Sequence, residues 1–337
     1  EGACPVDSNL AMKEIDINRW IAPARMDLAL TYRCNLNCAH CYAAAAAGKE
    51  IPELTTSQWK QVLERLWKIG VPNVVFTGGE PTLREDLVEL VDAAKLFVTG
   101  LVTNGTQLTK LARPLQEASL DYVQVTLESP VSEVHNGMVS ASFDAFNRTV
   151  EGITAGLEAG IQVITNTTLT RQNAMQFPQL IQFCRTLGLQ NMACNTLICS
   201  GGGMAAKKEN GLSPAELKTI LEQAIQTAQD HHIHLQWYSP TCYLHLNPVE
   251  LGFGAKGCSA AAYNMTTQPD GSILPCQSWP ETVGNLLQDS WPAIWNHPTC
   301  IKLRNHGFAE EDPQCKSCLH HEVCGGGCPL EGRESRR

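Results

Sequence analysis

Between about residues 26 and 200, short runs of β-branched and apolar residues alternate with amphipathic stretches of helical period. This is the pattern of repeated βα units around a parallel sheet. Strands are expected at Met26 to Tyr32, Asn73 to Thr77, Phe97 to Thr103, Tyr122 to Leu127, Gln162 to Thr168 and Asn191 to Ile198. Helices are expected after them at Ser57 to Ile69, Arg84 to Lys95, Lys110 to Ala118, Ser142 to Ala159, Ala174 to Leu187 and Ser213 to His231. The last opens on Ser213, Pro214 and Glu216, an N-cap, a proline at the first helical position and the acid of a capping box. Six units fall short of the eight of a closed barrel. The expected fold is therefore α/β, a partial (β/α)6 TIM-like barrel whose chemistry sits at the C-terminal ends of its strands.

After about Tyr238 the pattern gives way to Gly, Pro, Cys and His with little helical period. A loop-rich unit of roughly 80 residues buries too little apolar area to hold itself together and is usually stapled by disulfides or metals. The expected division is an N-terminal extension over 1–25, the barrel over 26–237 and a small cysteine-rich, loop-rich domain over 238–337.

Charge narrows the partners. Lys plus Arg number 25 and Asp plus Glu 34, a formal charge of -9, so neither nucleic acid nor an anionic membrane is an expected partner. Apolar stretches such as Leu96 to Thr103 are short and flanked by Asp92 and Lys95, well below a bilayer-spanning length, and no signal peptide is recognisable. The expected location is cytoplasmic.

The cysteine count is the more informative number: 15 in all, three at Cys34, Cys38 and Cys41 and four at Cys315, Cys318, Cys324 and Cys328. Disulfides in a secreted chain and metal ligation in a reducing compartment both produce cysteine excess. Clustering, an odd total and a chain able to form its own core favour metal. The segment Cys34-Asn-Leu-Asn-Cys38-Ala-His-Cys41-Tyr42 places three thiols at CxxxCxxC spacing directly after the first expected strand. A tight loop can turn three sulfurs onto one 4Fe–4S cube and leave one iron open. Phe76-Thr77-Gly78-Gly79-Glu80-Pro81 ends the second strand, where glycine admits a close backbone approach and Glu80 brings charge. The alternative for the early cysteines is a zinc site or buried thiols, although zinc takes four ligands and only His40 lies nearby.

At these residues, over roughly 26 to 200, the chain resembles the radical S-adenosylmethionine (SAM) enzymes, with the cysteine loop at Cys34, Cys38 and Cys41 and the GGE motif at Gly78, Gly79 and Glu80. The resemblance implies that the SAM amino and carboxylate groups chelate the open iron and that reductive cleavage yields a 5′-deoxyadenosyl radical that abstracts a substrate hydrogen. It implies that Gly78, Gly79 and Glu80 hold the methionyl amine, that Tyr42 lies against the adenine, and that His40 takes a position where the family often has an aromatic. Thr103, Asn104, Glu128, Ser129 and Asn166 become candidates for the ribose and carboxylate, with strand-end capping as the alternative. A flavodoxin- or ferredoxin-type electron donor is the implied redox partner.

The tail carries a second motif. Cys258, Gly271 and Cys276 precede Cys315-Lys-Ser-Cys318, Cys324, three glycines and Cys328. This resembles the SPASM extension of radical SAM enzymes, which holds two auxiliary iron–sulfur clusters. The family pattern would pair Cys258, Cys276 and Cys328 on one, and Cys315, Cys318 and Cys324 on the other. The family's final cysteine has no counterpart before Arg337. The fourth ligand would then be Cys242, Cys300, His320 or His321, or the site is open, or a shortened "twitch" version holds a single auxiliary cluster; a zinc ribbon is the alternative. Cys184 falls in a helical apolar pattern and reads as a core thiol, Cys194 and Cys199 flank the sixth strand's end, and Cys4 lies near the start.

Substrate inference rests on resemblance alone. Similar enzymes most often modify ribosomally made peptides or proteins by crosslinking, oxidation or epimerisation, which makes a peptide the first expectation. Tetrapyrrole side-chain modification of the haem-pathway kind is the second, and a non-catalytic iron–sulfur or zinc scaffold the third. No separate leader-peptide-binding domain is visible before Met26. An epimerase would need a thiol such as Cys199 or Cys242 to return the hydrogen.

Overall fold

A computed structural model describes residues 20–43 and 51–331. Cys4, most of the 1–25 extension and most of the Ala43 to Ala47 run lie outside the described residues.

Ten strands form one sheet in the order β10-β9-β8-β1-β2-β3-β4-β5-β6-β7. Its central strands are β1 (Arg25–Thr31), β2 (Asn73–Gly78), β3 (Val98–Thr103), β4 (Tyr122–Thr126), β5 (Gln162–Leu169) and β6 (Asn191–Thr196), paired in parallel in chain order. The helices joining them include α1 (Thr56–Ile69), α2 (Leu87–Ala93), α3 (Leu108–Glu117), α4 (Ser132–Met138), α5 (Ala145–Glu158), α6 (Phe177–Thr186), α7 (Gly203–Asn210) and α8 (Pro214–Asp230). Alternation decides the faces. Val123 and Val125 of β4 and Val163 and Leu169 of β5 are buried in the core under the helices, whereas Gln124, Thr126, Asn166 and Thr168 on the opposite face are only half-buried. A polar inner face suits a partial barrel left open for a ligand, where a closed barrel packs that space with apolar side chains.

Local chemistry explains the helix ends. α1 buries Trp59, Val62, Leu63 and Leu66 at helical spacing, starts on a Thr55–Gln58 capping box and stops at Gly70. α8 starts on the expected box of Ser213 and Glu216, and Arg171 fixes Glu216 from the loop after β5 with a 2.9 Å contact.

Two expectations are corrected. The parallel run holds eight strands, because β7 (His234–Trp237) adds to β6 and β8 (Asn264–Thr267) adds in parallel to β1. Both are four residues long. β7 buries only Trp237, so it leaves no alternating signature, and each depends on a neighbour for its hydrogen bonds. The expected helix over Ser142 to Ala159 is in fact α5, preceded by a separate α4 and the Asp144 N-cap.

The tail continues from β8 into β9 (Ser272–Leu274) and β10 (Gly284–Asn285), which pair antiparallel, and then into five short helices. These are α9 (Trp291–Trp295), α10 (Pro298–Arg304), α11 (Gly307–Glu310), α12 (Pro313–Lys316) and α13 (His321–Cys324). At 4 to 7 residues each they are too short to show a period. Arg65 of α1 donates to the carbonyls of Leu286 and Asp289, and Leu54 N–H to that of Pro269 at 2.7 Å, so the tail is bound along the barrel's flank.

Candidate active site

The cysteine loop leaves β1 through a register shift: Ala29 pairs with Thr77, and Thr31 with Gly78. Such a bulge turns the strand end and re-aims the loop beyond it. Gly78 sits at φ +138, and a Cβ there would meet the Thr31 carbonyl oxygen at 2.2 Å; at Gly79 it would meet that of Arg33 at 2.4 Å. Only glycine lets the end of β2 press against the start of the loop, where Gly79 N–H donates to Thr31 O at 2.7 Å and Glu80 N–H to Arg33 O at 2.8 Å.

Three further attachments hold the loop. Leu36 is buried against Val139 and Ala145, beside Cys34 and Cys38. Asn35 donates to Thr106 Oγ1 at 2.9 Å and accepts from Asn104 Nδ2 at 2.8 Å. The run Gly201 to Gly203 lies on its other side, where Gly202 N–H donates to Cys41 O at 2.9 Å and a Cβ at Gly202 would meet Ala39 O at 2.6 Å. Asn35, Leu36 and these glycines were not legible as site residues, because their partners are distant in sequence.

Burial pushes the Cys34 thiol up to about 11, with Glu80 and Cys41 adding to the shift, and raises Cys38 further. Buried thiols that repel one another become thiolates only when a strong positive charge joins them, which is the service an iron–sulfur cluster provides. Leu36 N–H also donates to Cys34 Sγ at 3.4 Å. The loop therefore fits the group its spacing implies.

Glu80 is fully buried. Its Oε1 accepts from Thr82 N at 3.0 Å, Thr82 Oγ1 at 2.5 Å and Thr103 Oγ1 at 2.7 Å, and its Oε2 from Asn104 N at 2.8 Å. Burial pushes this carboxyl up and the four donors pull it down. The carboxylate thus ties the end of β2 to the end of β3, leaving main-chain atoms of Gly78 to Glu80 as the contacts available to a ligand. Asn104 is spent on Asn35 and Thr106, and Ser129 on Gln176 and Val131. Glu128 accepts from Thr168 N at 2.8 Å and lies 3.0 Å from His40 Nε2, so the histidine inside the cysteine loop is held by the end of β4. Burial lowers the His40 pKa, and the Glu128 charge outweighs it to leave the group raised. Asn166 donates to Asn195 at 2.9 Å while its own Oδ1 is buried without a hydrogen-bond partner. Tyr42 packs with Ala29 and Tyr32 and gives its hydroxyl to Gln277, whose amide donates to Asp27 at 2.7 Å.

In the tail, Cys258, Cys276 and Cys328 lie within electrostatic reach of one another, and burial pushes them up to about 11, 11 and 12. Cys318 and Cys324 form a second group with Cys242. Gly325, Gly326 and Gly327, all at positive φ, reverse the chain between Cys324 and Cys328, so that neighbouring cysteines serve different groups. None of the described cysteines forms a disulfide. Among the described residues no three His, Cys, Asp or Glu converge on a point where one metal ion would sit. Cys184 and Cys194 are buried in the core as packing thiols.

Residues 28–184 match the Radical SAM superfamily and residues 258–319 the SPASM iron–sulfur cluster-binding domain. Pre-heme d1 synthase of Dinoroseobacter shibae is 27% identical over 88% of this chain and 79% of its own. The AdoMet-dependent heme synthase of Methanosarcina barkeri is 27% identical over 90% of this chain and 91% of its own. Among solved structures, Streptococcus suis SuiB bound to S-adenosylmethionine superposes with a TM-score of 0.75 at 21% identity, over 91% of this chain and 73% of SuiB, and that protein has also been solved with the precursor peptide SuiA. No helix among the described residues is long and apolar enough to cross a membrane. The chain belongs to the radical SAM superfamily, as an enzyme whose C-terminal region is a SPASM iron–sulfur cluster-binding domain.

Proposed function

We propose that this enzyme abstracts a hydrogen atom from a side chain of a tetrapyrrole. The supporting observation is that the two synthases, one named for heme and one for pre-heme d1, align over nearly the whole chain, barrel and tail together. With a 4Fe–4S cluster and SAM bound, the site supplies reductive cleavage to methionine and a 5′-deoxyadenosyl radical. Cys34, Cys38 and Cys41 hold that cluster. Main-chain atoms of Gly78, Gly79 and Glu80 orient the methionyl amine, and Asn166 offers its idle Oδ1 to the nucleoside. Tyr42, Thr103, Asn104, Glu128 and Ser129 act by fixing the loop and strand ends. Cys258, Cys276, Cys315, Cys318, Cys324 and Cys328 hold auxiliary clusters. Clusters held there would supply an acceptor for the electron that a substrate radical gives up as it is oxidised, or a hold on the substrate, and a flavodoxin- or ferredoxin-type protein in the cytoplasm would be the reductant of the SAM cluster. Residues 26–237 form the catalytic barrel and 238–337 the auxiliary-cluster domain.

A peptide substrate is the second reading, favoured by the fold shared with SuiB. Anaerobic enzyme with dithionite and SAM should release 5′-deoxyadenosine faster when an iron porphyrinoid bearing propionate groups is added, and substrate deuterium should appear in it. Stimulation by peptides and not by porphyrinoids would overturn the tetrapyrrole reading. A Cys38→Ala variant should release none.

A further inference from the structure

Once a cluster is placed at the second tail group, which rests on the auxiliary-cluster reading above, the motif supplies it three thiols among the described residues. We infer that Cys242 is its fourth protein ligand, joining Cys315, Cys318 and Cys324 from the segment that links barrel to tail.

Placement is the first argument. The Cys242 thiol lies within electrostatic reach of Cys318 and Cys324. The chain on either side is pinned to the same loop. Cys324 Sγ approaches Thr241 O at 3.5 Å, and the ring of Tyr243 lies 6.0 Å from that of His320. A Cβ at Gly327 would meet the Thr241 carbonyl carbon at 3.2 Å and Cys242 N at 3.3 Å. The glycine just before Cys328 therefore makes room for this segment. On the other side of the turn, the same construction on Gly326 would meet Cys315 Sγ at 3.6 Å.

Backbone geometry is the second argument. Each motif cysteine of the second group opens a tight turn closed by the N–H three residues on: Cys318 N–H donates to Cys315 O at 3.0 Å, His321 N–H to Cys318 O at 3.1 Å and Gly327 N–H to Cys324 O at 3.2 Å. Cys276 and Cys328 open the same turn, closed by Trp279 N–H at 3.1 Å and Glu331 N–H at 3.0 Å. Cys242 does so as well, its carbonyl accepting from His245 N–H at 3.0 Å. The packing thiols Cys184, Cys194 and Cys300 instead lie inside α6, β6 and α10. Cys242 shares the local backbone of the motif cysteines.

The rivals fit less well. Cys300 is fully buried in α10 beside Arg304. His320 is turned against Tyr243. His321 commits Nε2 to Glu310 at 2.8 Å, although its buried Nδ1 has no partner, which makes it the rival to test.

Iron and sulfide per chain and the EPR spectrum should be measured after anaerobic reconstitution for wild type and for the Cys242→Ala, His321→Ala and Cys300→Ala variants. Three clusters bring about 12 iron atoms. Cys242→Ala should lose about a third of this iron, or lose about one atom and gain a 3Fe–4S signal. The other two variants should match wild type. Full iron with unchanged spectra in Cys242→Ala, or loss in His321→Ala instead, would overturn the assignment. Wild-type iron that disappears entirely in a Cys34/Cys38/Cys41 triple-Ala variant would instead overturn the auxiliary-cluster reading beneath it. A measurement on wild type guards against misfolding: alkylation of Cys242 should be blocked in holoenzyme and should appear with that of Cys318 and Cys324 when a chelator strips iron. Equal alkylation of Cys242 before and after stripping would refute its ligation.

Discussion

Replacing Glu80 by Gln removes a charge while keeping the shape, and the structure makes this a severe change. Each carboxylate oxygen receives a backbone N–H, Thr82 N on Oε1 and Asn104 N on Oε2, and neither donor can rotate away. A glutamine has one oxygen and one NH2, so whichever way it is turned one backbone N–H faces another donor. The threonine hydroxyls can reorient to accept, but the backbone cannot. One charge-assisted hydrogen bond, about 2 kcal/mol, is lost, and one buried N–H left unsatisfied costs about 1–2 kcal/mol more. The expected destabilisation is about 3–4 kcal/mol, or about 1 M in the urea midpoint at the m-value of a chain this long. Thr103→Val removes one hydroxyl donor and leaves both backbone donors paired, so it should cost about 1.5 kcal/mol. The assay is urea unfolding of the apoprotein, where no SAM is present to confuse a structural role with a ligand contact. A Glu80→Gln midpoint within about 0.2 M of wild type, accompanied by weakened SAM binding, would show that Glu80 acts on the ligand and not as the tie between β2 and β3.

Leu36→Ala should cost about 2–3 kcal/mol by emptying the contact with Val139 and Ala145. Because Leu36 sits between Cys34 and Cys38, iron retention at the cysteine loop should fall in parallel, measured as iron per chain after gel filtration. Arg304 is buried and has no carboxylate partner among the described residues; it donates to Ala261 O at 2.9 Å and Trp295 O at 2.7 Å with its guanidinium 4.2 Å from the Trp295 ring centre. Arg304→Lys loses the planar fork and should lower the tail's thermal midpoint by the equivalent of about 2 kcal/mol, while alkyl-matched Arg304→Met should cost more. His135 accepts the Glu128 N–H at Nδ1, 3.2 Å away, and burial holds its pKa below 6.5 against the pull of Glu128 and Asp144. The unfolded chain then takes up the proton first. The stability His135 contributes is complete above pH 6.5 and is lost as pH falls toward the lowered folded value. Stability of His135→Gln against pH should be flatter than wild type over pH 5–6.5; parallel curves would refute the neutral-acceptor role.

Spacing and period carried what is local. The cysteine loop was legible because three thiols within eight residues, placed where a strand ends, have few other uses. The capping box of α8 was legible because its partners are three residues apart. What escaped depends on residues far along the chain. Gln277 reaches Tyr42 and Asp27 across more than 230 positions, and β8 is a strand only because β1 offers an edge to pair with. The two triple-glycine runs make the point most clearly, since either reads as loop. Gly201 to Gly203 has its small size used up by the carbonyls of Ala39, Cys41 and Tyr42, so it is a floor for the cysteine loop. Gly325 to Gly327 has its left-handed backbone used to turn Cys324 and Cys328 toward different thiol groups. Glycine declares that side chains are excluded or that φ is positive, and only the fold tells which it supplies and to whom, or that it supplies both, as Gly201 and Gly327 do. In the tail, a turn of three residues lets one short segment place thiols in two separate groups, Cys328 beside Cys258 and Cys276, and Cys324 beside Cys242.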